Sequence, residues 1–250
     1  LIGEDNWFQT TYFCKTELSF MTPSGNTCIL QINTALSEAS VGLGVYGQLQ
    51  QVLKNSIQQQ HAAFLQPAIQ TLCSQLDIPL KALDAVAVMN GPGSYTGLRV
   101  GLSAAKGICY ALGIPLICIN TLQWISAGNG DTDADLICPM IDARRMEVFT
   151  AVFNKKQETV LAPAPMILEA QSFLSVLENN RMAFIGDGAS KWQTICNHPN
   201  AIFPEPEHGP EAFHALACKA FEQKDFADLA YAEPFYLKGF FSAQPSSKPA

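Results

Sequence analysis

The chain lacks most of the features that would make its chemistry easy to read. No window of about 18 apolar residues free of charge occurs, so nothing in it reads as a membrane-spanning helix. It has no basic run. Its 15 Lys and Arg are scattered among 22 Asp and Glu, for a net charge of −7 and a pI near 5.0. A protein that grips nucleic acid by itself usually carries a basic face, so primary nucleic-acid binding is disfavoured. None of its eight cysteines pairs at CxxC spacing, and most sit inside apolar runs, which fits reduced, buried thiols. The histidines, His61, His198, His208 and His214, form neither HxxxH nor HExxH, which removes the simple zinc motifs. No basic segment followed by an apolar one opens the chain, so a signal peptide is not expected. A cytoplasmic protein is the expectation.

What is present is a large apolar fraction, 48% of 250 residues, enough for one large domain or two small ones. Residues 1–20 hold Trp7, Phe8, Tyr12, Phe13 and Phe20 without periodicity, and Met21 stands just before the first convincing strand. The native domain is therefore expected to begin near Met21, with 1–20 as a leader that is not part of it. Residues 242–250, rich in Ser and Pro, read as a flexible tail. Between these ends, residues 28–33 alternate like a half-buried strand, and 40–46 and 48–53 continue as antiparallel partners. Residues 56–76 have helical spacing, with Pro67 expected to kink or break them. Residues 83–89 form an apolar strand and 114–119 another apolar run, and 121–127 open a further helix. A Gly- and Asp-rich linker covers 128–135. The second half starts the same way: a strand at 136–141, a turn at 142–145, and a returning strand at 147–153. Helices are expected at 171–178 and 211–226, and a strand at 182–185 that turns through Gly186-Asp187-Gly188 into another helix. A hairpin followed by alternating helix and strand, twice over, predicts two related α/β lobes, 21–130 and 131–241.

The most informative stretch is Asn90-Gly91-Pro92-Gly93-Ser94-Tyr95-Thr96-Gly97, which joins the apolar strand to a helix running to Leu112. Backbone N–H groups at such a bend, with the positive end of a helix dipole, can hold an anion. Gly91, Gly93, Ser94 and Thr96 are thus candidate anion ligands. The same glycines can also serve only to turn the chain, with Ser94 or Thr96 as N-cap. Without GK[ST] this is not a Walker loop.

On a helical wheel, Leu98, Leu102, Ala105, Cys109 and Leu112 gather on one side and are expected to pack on a sheet. Gly97, Val100, Gly101, Ala104, Ile108 and Ala111, with Gly107, form a small-residue side. Each glycine inside a helix costs about 1 kcal/mol relative to alanine. A close contact is needed to offset that, either within the chain or with a partner protein. Ser103 and Lys106 match the SxxK spacing of some hydrolases, but without the SDN and KTG motifs that accompany it. A solvated helix face is the simpler reading. Asp142, Arg144 and Arg145 in the second hairpin can orient a ligand or a partner, or form a solvated turn.

Together, GPGSYTGLRVGLSAAKGICYALGIPL at 91–116, ILQINTALSEASVGL at 29–43, His61 with LQPAI at 65–69, MIDARRMEVFTAVF at 140–153, GDGA at 186–189 and EPFYLK at 233–238 resemble the TsaB (YeaZ) family of bacterial tRNA threonylcarbamoyladenosine (t6A) biosynthesis proteins. The resemblance implies the two-lobed actin/Hsp70/sugar-kinase (ASKHA) fold, each lobe opening with a β-hairpin. Active members of that superfamily carry an acidic residue at the end of the first strand; here it is Asn33, followed by Thr34, a degenerate phosphate loop whose neutral amide cannot supply the charge that holds a hard cation. The catalytic sibling TsaD carries an HxxxH after its glycine helix, and the comparable stretch here, 120–128, has no histidine. The resemblance therefore implies a non-catalytic subunit. It would dimerise with a TsaD-like catalytic subunit and act with a TsaE-like ATPase. The reaction supported is transfer of threonylcarbamoyl from threonylcarbamoyl-AMP to adenosine 37 of tRNAs reading ANN codons. Helices 56–76 and 97–112 would form the contact. It implies no cofactor of the chain's own, ATP or ADP only at an interface in the complex, tRNA reached only through the complex, and a homodimer through the same face when the partner is absent. The alternatives are a self-contained nucleotide-dependent transferase and a Ser–Lys hydrolase.

Overall fold

The computed structural model describes residues 27–130, 132–205 and 209–238. The leader and tail expected at 1–20 and 242–250 lie outside the described residues. Strand β1 (Cys28–Asn33) pairs antiparallel with β2 (Ala39–Val45), which pairs with β3 (Gln48–Asn55) across a tight turn. That turn has positive φ at both Tyr46 and Gly47, the left-handed geometry that matches strand twist. Strands β4 (Ala85–Gly91) and β5 (Leu116–Asn120) add on the other side of β1 in parallel, giving the order β3-β2-β1-β4-β5. The second sheet contains β6 (Leu136–Asp142), β7 (Glu147–Asn154), β8 (Thr159–Ile167), β9 (Met182–Ile185) and β10 (Ala201–Ile202). Read from β8, its order is β8-β7-β6-β9-β10, the first sheet's order over again.

Side-chain alternation divides each sheet between two cores. Leu30 and Ile32 of β1 and Val86 and Val88 of β4 face α1 (His61–Gln75) and α2 (Tyr95–Leu112). Ile29, Ala87 and Met89 face a central layer shared with Ile137, Ile141 and Ile185 of the second sheet. That layer holds α3 (Thr121–Ala127) and α6 (Pro210–Glu222). Helix α3 packs on β6 and β7, and α6 packs on β1, β3 and β5. A cut near residue 130 would separate the sheets but leave α6 with the wrong half. The outer face of the second sheet is closed by α4 (Leu174–Leu177) and α5 (Ala189–Gln193) around Trp192, Phe173 and Phe184.

Several sequence expectations change in detail. The first helix starts at His61, after a short 3-10 turn at Gln58–Gln60, and runs unbroken through Pro67, which sits on the exposed side. The helix expected at 171–178 shrinks to Leu174–Leu177, and the last helix ends at Glu222. Strand β8 was not expected. It lies at a sheet edge, where Pro163 and Pro165 are tolerated. No helix among the described residues is long and apolar enough to cross a membrane. All seven described cysteines are free. Burial pushes the thiols of Cys28, Cys109, Cys118 and Cys218 up to about 11 and Cys138 to about 12, away from thiolate chemistry.

Beyond α6, residues 227–238 form a strap that returns to the first lobe. Ala227 bridges to Leu116 at the β5 edge, and its N–H donates to Leu116 O at 2.8 Å. Lys106 of α2 donates from Nζ to the carbonyls of Ala230 (3.2 Å) and Ala232 (3.0 Å). The Phe235 N–H donates to Asn90 O at 2.7 Å, and Lys238 pairs with Glu147 of the second lobe at 2.6 Å.

Helix α6 also carries His214, which is 3% exposed and lies flat against Gly44. Its Nδ1 is 2.6 Å from Gln31 Nε2, and its Nε2 is 3.4 Å from Cys218 Sγ. Burial lowers its pKa from 6.5 to about 4. The unfolded chain therefore binds the extra proton first, and the neutral ring contributes its full stability above about pH 6.5. That contribution, about 3 kcal/mol for a shift of this size, is lost as pH falls from 6.5 towards 4. Urea unfolding across this range should show the stability advantage over a His214→Gln variant shrinking as pH falls; a constant difference would mean the ring is not held neutral.

Candidate functional site

Strand β1 ends at Asn33, beside the glycine bend that follows β4. Asn33 is 3% exposed, and its Oδ1 accepts the N–H of Ala35 at 3.0 Å. The Asn33 amide oxygen is thus committed to its own turn. Thr34 is fully buried and donates from Oγ1 to Gly97 O at 2.7 Å. The N–H of Ser94 donates to Ala35 O at 2.7 Å, and the Ser94 hydroxyl caps α2 by accepting from the Gly97 N–H at 3.3 Å.

These contacts explain the glycines. A Cβ at Gly93 would overlap Ala35 O, one at Gly97 would overlap Thr34 O, and one at Gly101 would overlap Thr34 Oγ1. Gly91, at φ +121°, lies under the Phe235 carbonyl of the strap. Of the candidate anion ligands, Ser94 already gives its N–H to Ala35 O, Gly91 and Gly93 lie against carbonyls of the chain, and Thr96 is exposed.

The small-residue side of α2 is corrected. Gly97 and Gly101 are buried against Thr34 and belong with Leu98, Leu102, Ala105 and Cys109 on the sheet side. Val100, Ala104 and Ile108 are half-buried, and Ala111 is exposed beside Ser103, Gly107 and Tyr110. Nothing lies within 4 Å of a Cβ built on Gly107. The accessible small face is therefore displaced around the helix, centred on Ser103 and Gly107. The SxxK reading fails on Lys106, whose ammonium is bound to the strap's carbonyls.

Asp142, at the end of β6, stands where Asn33 stands in the first lobe. Its carboxylate accepts from Lys191 Nζ at 2.6 Å and from the Arg144 N–H at 2.5 Å. Partial burial pushes its pKa up, but the Lys191 and Arg144 hydrogen bonds outweigh that and hold it below the usual value. The Lys191 ammonium answers its charge. Arg144 and Arg145 are exposed with φ of 73° and 52°. Left-handed backbone costs a non-glycine residue about 1–2 kcal/mol.

Beside the end of β1, Asn33, Ser37, Glu38, Lys54, Trp124 and Phe213 line a cavity of about 120 Å³. Drug- and cofactor-sized ligands occupy roughly 300–1,000 Å³, so a nucleotide does not fit there as it stands. No cluster of His, Cys, Asp or Glu suited to a metal ion occurs among the described residues. The sequence pattern missed Lys191 and the strap; the only signal for the strap was the EPFYLK string, which carries no periodicity.

The two halves of α2 should respond oppositely to the same substitution. Gly101→Ala should destabilise by about 3 kcal/mol, the upper end of overpacking. Gly107→Ala should stabilise by about 1 kcal/mol, because the site is open and helical. Denaturant midpoints of the two variants test this, and effects of equal sign would contradict the assigned faces.

The chain matches the family model described as "TsaD: tRNA N6-adenosine threonylcarbamoyltransferase" over residues 50–237. It is 31% identical over 189 residues to the tRNA threonylcarbamoyladenosine biosynthesis protein TsaB of Bacillus subtilis, covering 73% of this chain and 81% of that one. The protein of the same name from Escherichia coli is 26% identical over 226 residues, covering 84% and 94%. The solved structure of YeaZ from Pseudomonas aeruginosa superposes with a TM-score of 0.70 at 24% identity, covering 84% of this chain and all of that one, so the two share a fold. These matches, over most of the chain, place it in the TsaB (YeaZ) family.

Proposed function

We propose that the chain is a non-catalytic subunit of the machinery that makes t6A. Family membership supports the role in this tRNA modification. The accessory character rests on one observation above all: the end of β1, where a carboxylate would organise metal and phosphate, carries Asn33, and its amide oxygen is committed to Ala35. The carbonyl-lined bend and the small cavity point the same way. The chain docks a TsaD-like catalytic subunit, which transfers threonylcarbamoyl to adenosine 37 of tRNAs reading ANN codons, with a TsaE-like ATPase acting on the assembled pair. Any ATP or ADP belongs to an interface of that complex. The chain works in the cytoplasm.

The docking face is the exposed strip of α2, with Ser103, Gly107 and Ala111 at its centre and Val100 and Ala104 at its margin. Small side chains let a partner helix approach closely, and Gly107 has no role inside the fold to explain it. A second copy of the chain can use the same strip when the partner is absent. A self-contained transferase or Ser–Lys hydrolase finds less support, since the first-strand acid is missing and Lys106 serves the strap.

Gly107→Arg and Ala111→Arg should each leave the melting temperature near that of the parent. Each should cut co-purification with a TsaD-like partner by at least about tenfold, the equivalent of about 1.4 kcal/mol. Undiminished capture by both variants would remove this strip from the interface.

A further inference from the structure

At the start of α2 the strap brings two lobes' worth of cations to one corner. Tyr95 and Tyr236 stack with ring centroids 4.9 Å apart. The Arg99 guanidinium lies 4.2 Å over the Tyr95 ring and donates from Nε to the Tyr236 hydroxyl at 3.0 Å. Two residues on, Lys238 crosses to Glu147, whose N–H donates to Arg144 O at the tip of the β6–β7 hairpin. Arg144 and Arg145 stand exposed on that tip, and neither forms an ion pair among the described residues.

Three carboxylates beside the hairpin are already engaged: Asp142 by Lys191, Glu147 by Lys238, and Asp187 by the Asp142 N–H. Glu233, on the strap, is exposed. Arg144 and Arg145 thus keep exposed guanidinium groups in a chain whose overall charge is −7. Neither the tyrosine stack nor the arginine tip holds a core together, and Tyr236, like the arginines, is exposed. A tight hairpin favours glycine or asparagine at left-handed positions, yet this one keeps two arginines there.

We propose that this corner binds a single-stranded loop of RNA, with phosphates on Arg144 and Arg145 and a base on the Tyr95–Tyr236–Arg99 platform. Unpaired bases stack on tyrosine rings and guanidinium planes, and an arginine fork matches phosphate geometry. An acidic protein segment would use the arginines but has no need of the stacked rings. The inference rests on the t6A reading and goes beyond it, because it gives this chain a direct contact with RNA rather than one made only by its partner.

The test is fluorescence anisotropy with the full-length chain and a labelled anticodon stem-loop RNA, beside a loop-free duplex, ATP and polyglutamate. The stem-loop should bind better than the duplex, and ATP and polyglutamate should not displace it. The double variant Arg144→Gly, Arg145→Gly removes the left-handed strain, so its melting temperature should be equal or higher. It should nevertheless bind the stem-loop at least about tenfold more weakly, with a log–log salt slope shallower by about 1 to 2. Tyr236→Ala should weaken the stem-loop and leave the duplex unaffected. Equal binding of stem-loop and duplex, or unchanged binding by the double variant, overturns the inference, as does displacement by polyglutamate, which assigns the arginines to an acidic protein. Capture of a TsaD-like partner is scored on the same preparations. A parent chain that captures the partner but ignores the RNA overturns this inference alone; one that binds neither overturns the t6A reading as well.

Discussion

Thr34 sits where two pieces of backbone come closer than any side chain would allow. Its hydroxyl holds Gly97 O, its carbonyl lies where a Cβ of Gly97 would be, and its Oγ1 fills the space beside Gly101. The helix gives up about 1 kcal/mol for each glycine inside it. What offsets this is a buried hydrogen bond, worth about 1 kcal/mol net, together with the packing of α2 flat on β1 and β4. The angle of α2 follows from that seat. So does the placing of Lys106 and Arg99 against the strap, and the turning of Ser103 and Gly107 outward.

The two lobes repeat one plan but have diverged in opposite directions at the same point. Both first strands end in a turn pressed against a glycine bend: Gly93 and Gly97 on Ala35 and Thr34, Gly186 and Gly188 on Met140 and Ile141. In the first lobe the charge is gone and Asn33 bonds its own backbone. In the second the carboxylate of Asp142 remains, but Lys191 answers it. Either way the polar group at the end of the strand is answered within the chain. Helices α3 and α6 fill the layer between the two sheets.

The repeated architecture was legible in the sequence because it is written in local patterns. Helical spacing in α1 and α2 follows from which faces are buried, and the apolar run 136–141 reads as a strand. The alternation in 28–33 marked a strand but suggested one open face; both faces are covered, and Gln31 and Asn33 are buried with the rest. Strand β8 was not legible: it lies at an edge, its residues are mostly exposed, and Pro163 and Pro165 read as breakers. The glycine face of α2 was seen but assigned to the wrong neighbour. A wheel shows that Gly97 and Gly101 share a side, but not that Thr34, more than sixty positions away in sequence, occupies it. The same limit hid the cluster of Tyr95, Arg99 and Tyr236, which meets only because the chain returns along α2 after α6. Scattered cations gave no basic run in the sequence, and the strap links Lys238 to Glu147 of the hairpin that carries Arg144 and Arg145.

The returning strap has a consequence for how the protein is made. His214 packs on Gly44, Ala227 completes the edge of β5, and Phe235 seals the bend at Gly91. Each of these contacts joins the last third of the chain to its first half. On the ribosome, the first lobe therefore emerges with one sheet face uncovered and one strand edge open, and it waits for almost the whole second lobe before it can finish. Contacts this distant in sequence make folding slow and expose apolar surface on the way, the state that chaperones attend. The two lobes resemble independent halves, but they mature together, because segments translated after the second sheet complete the first.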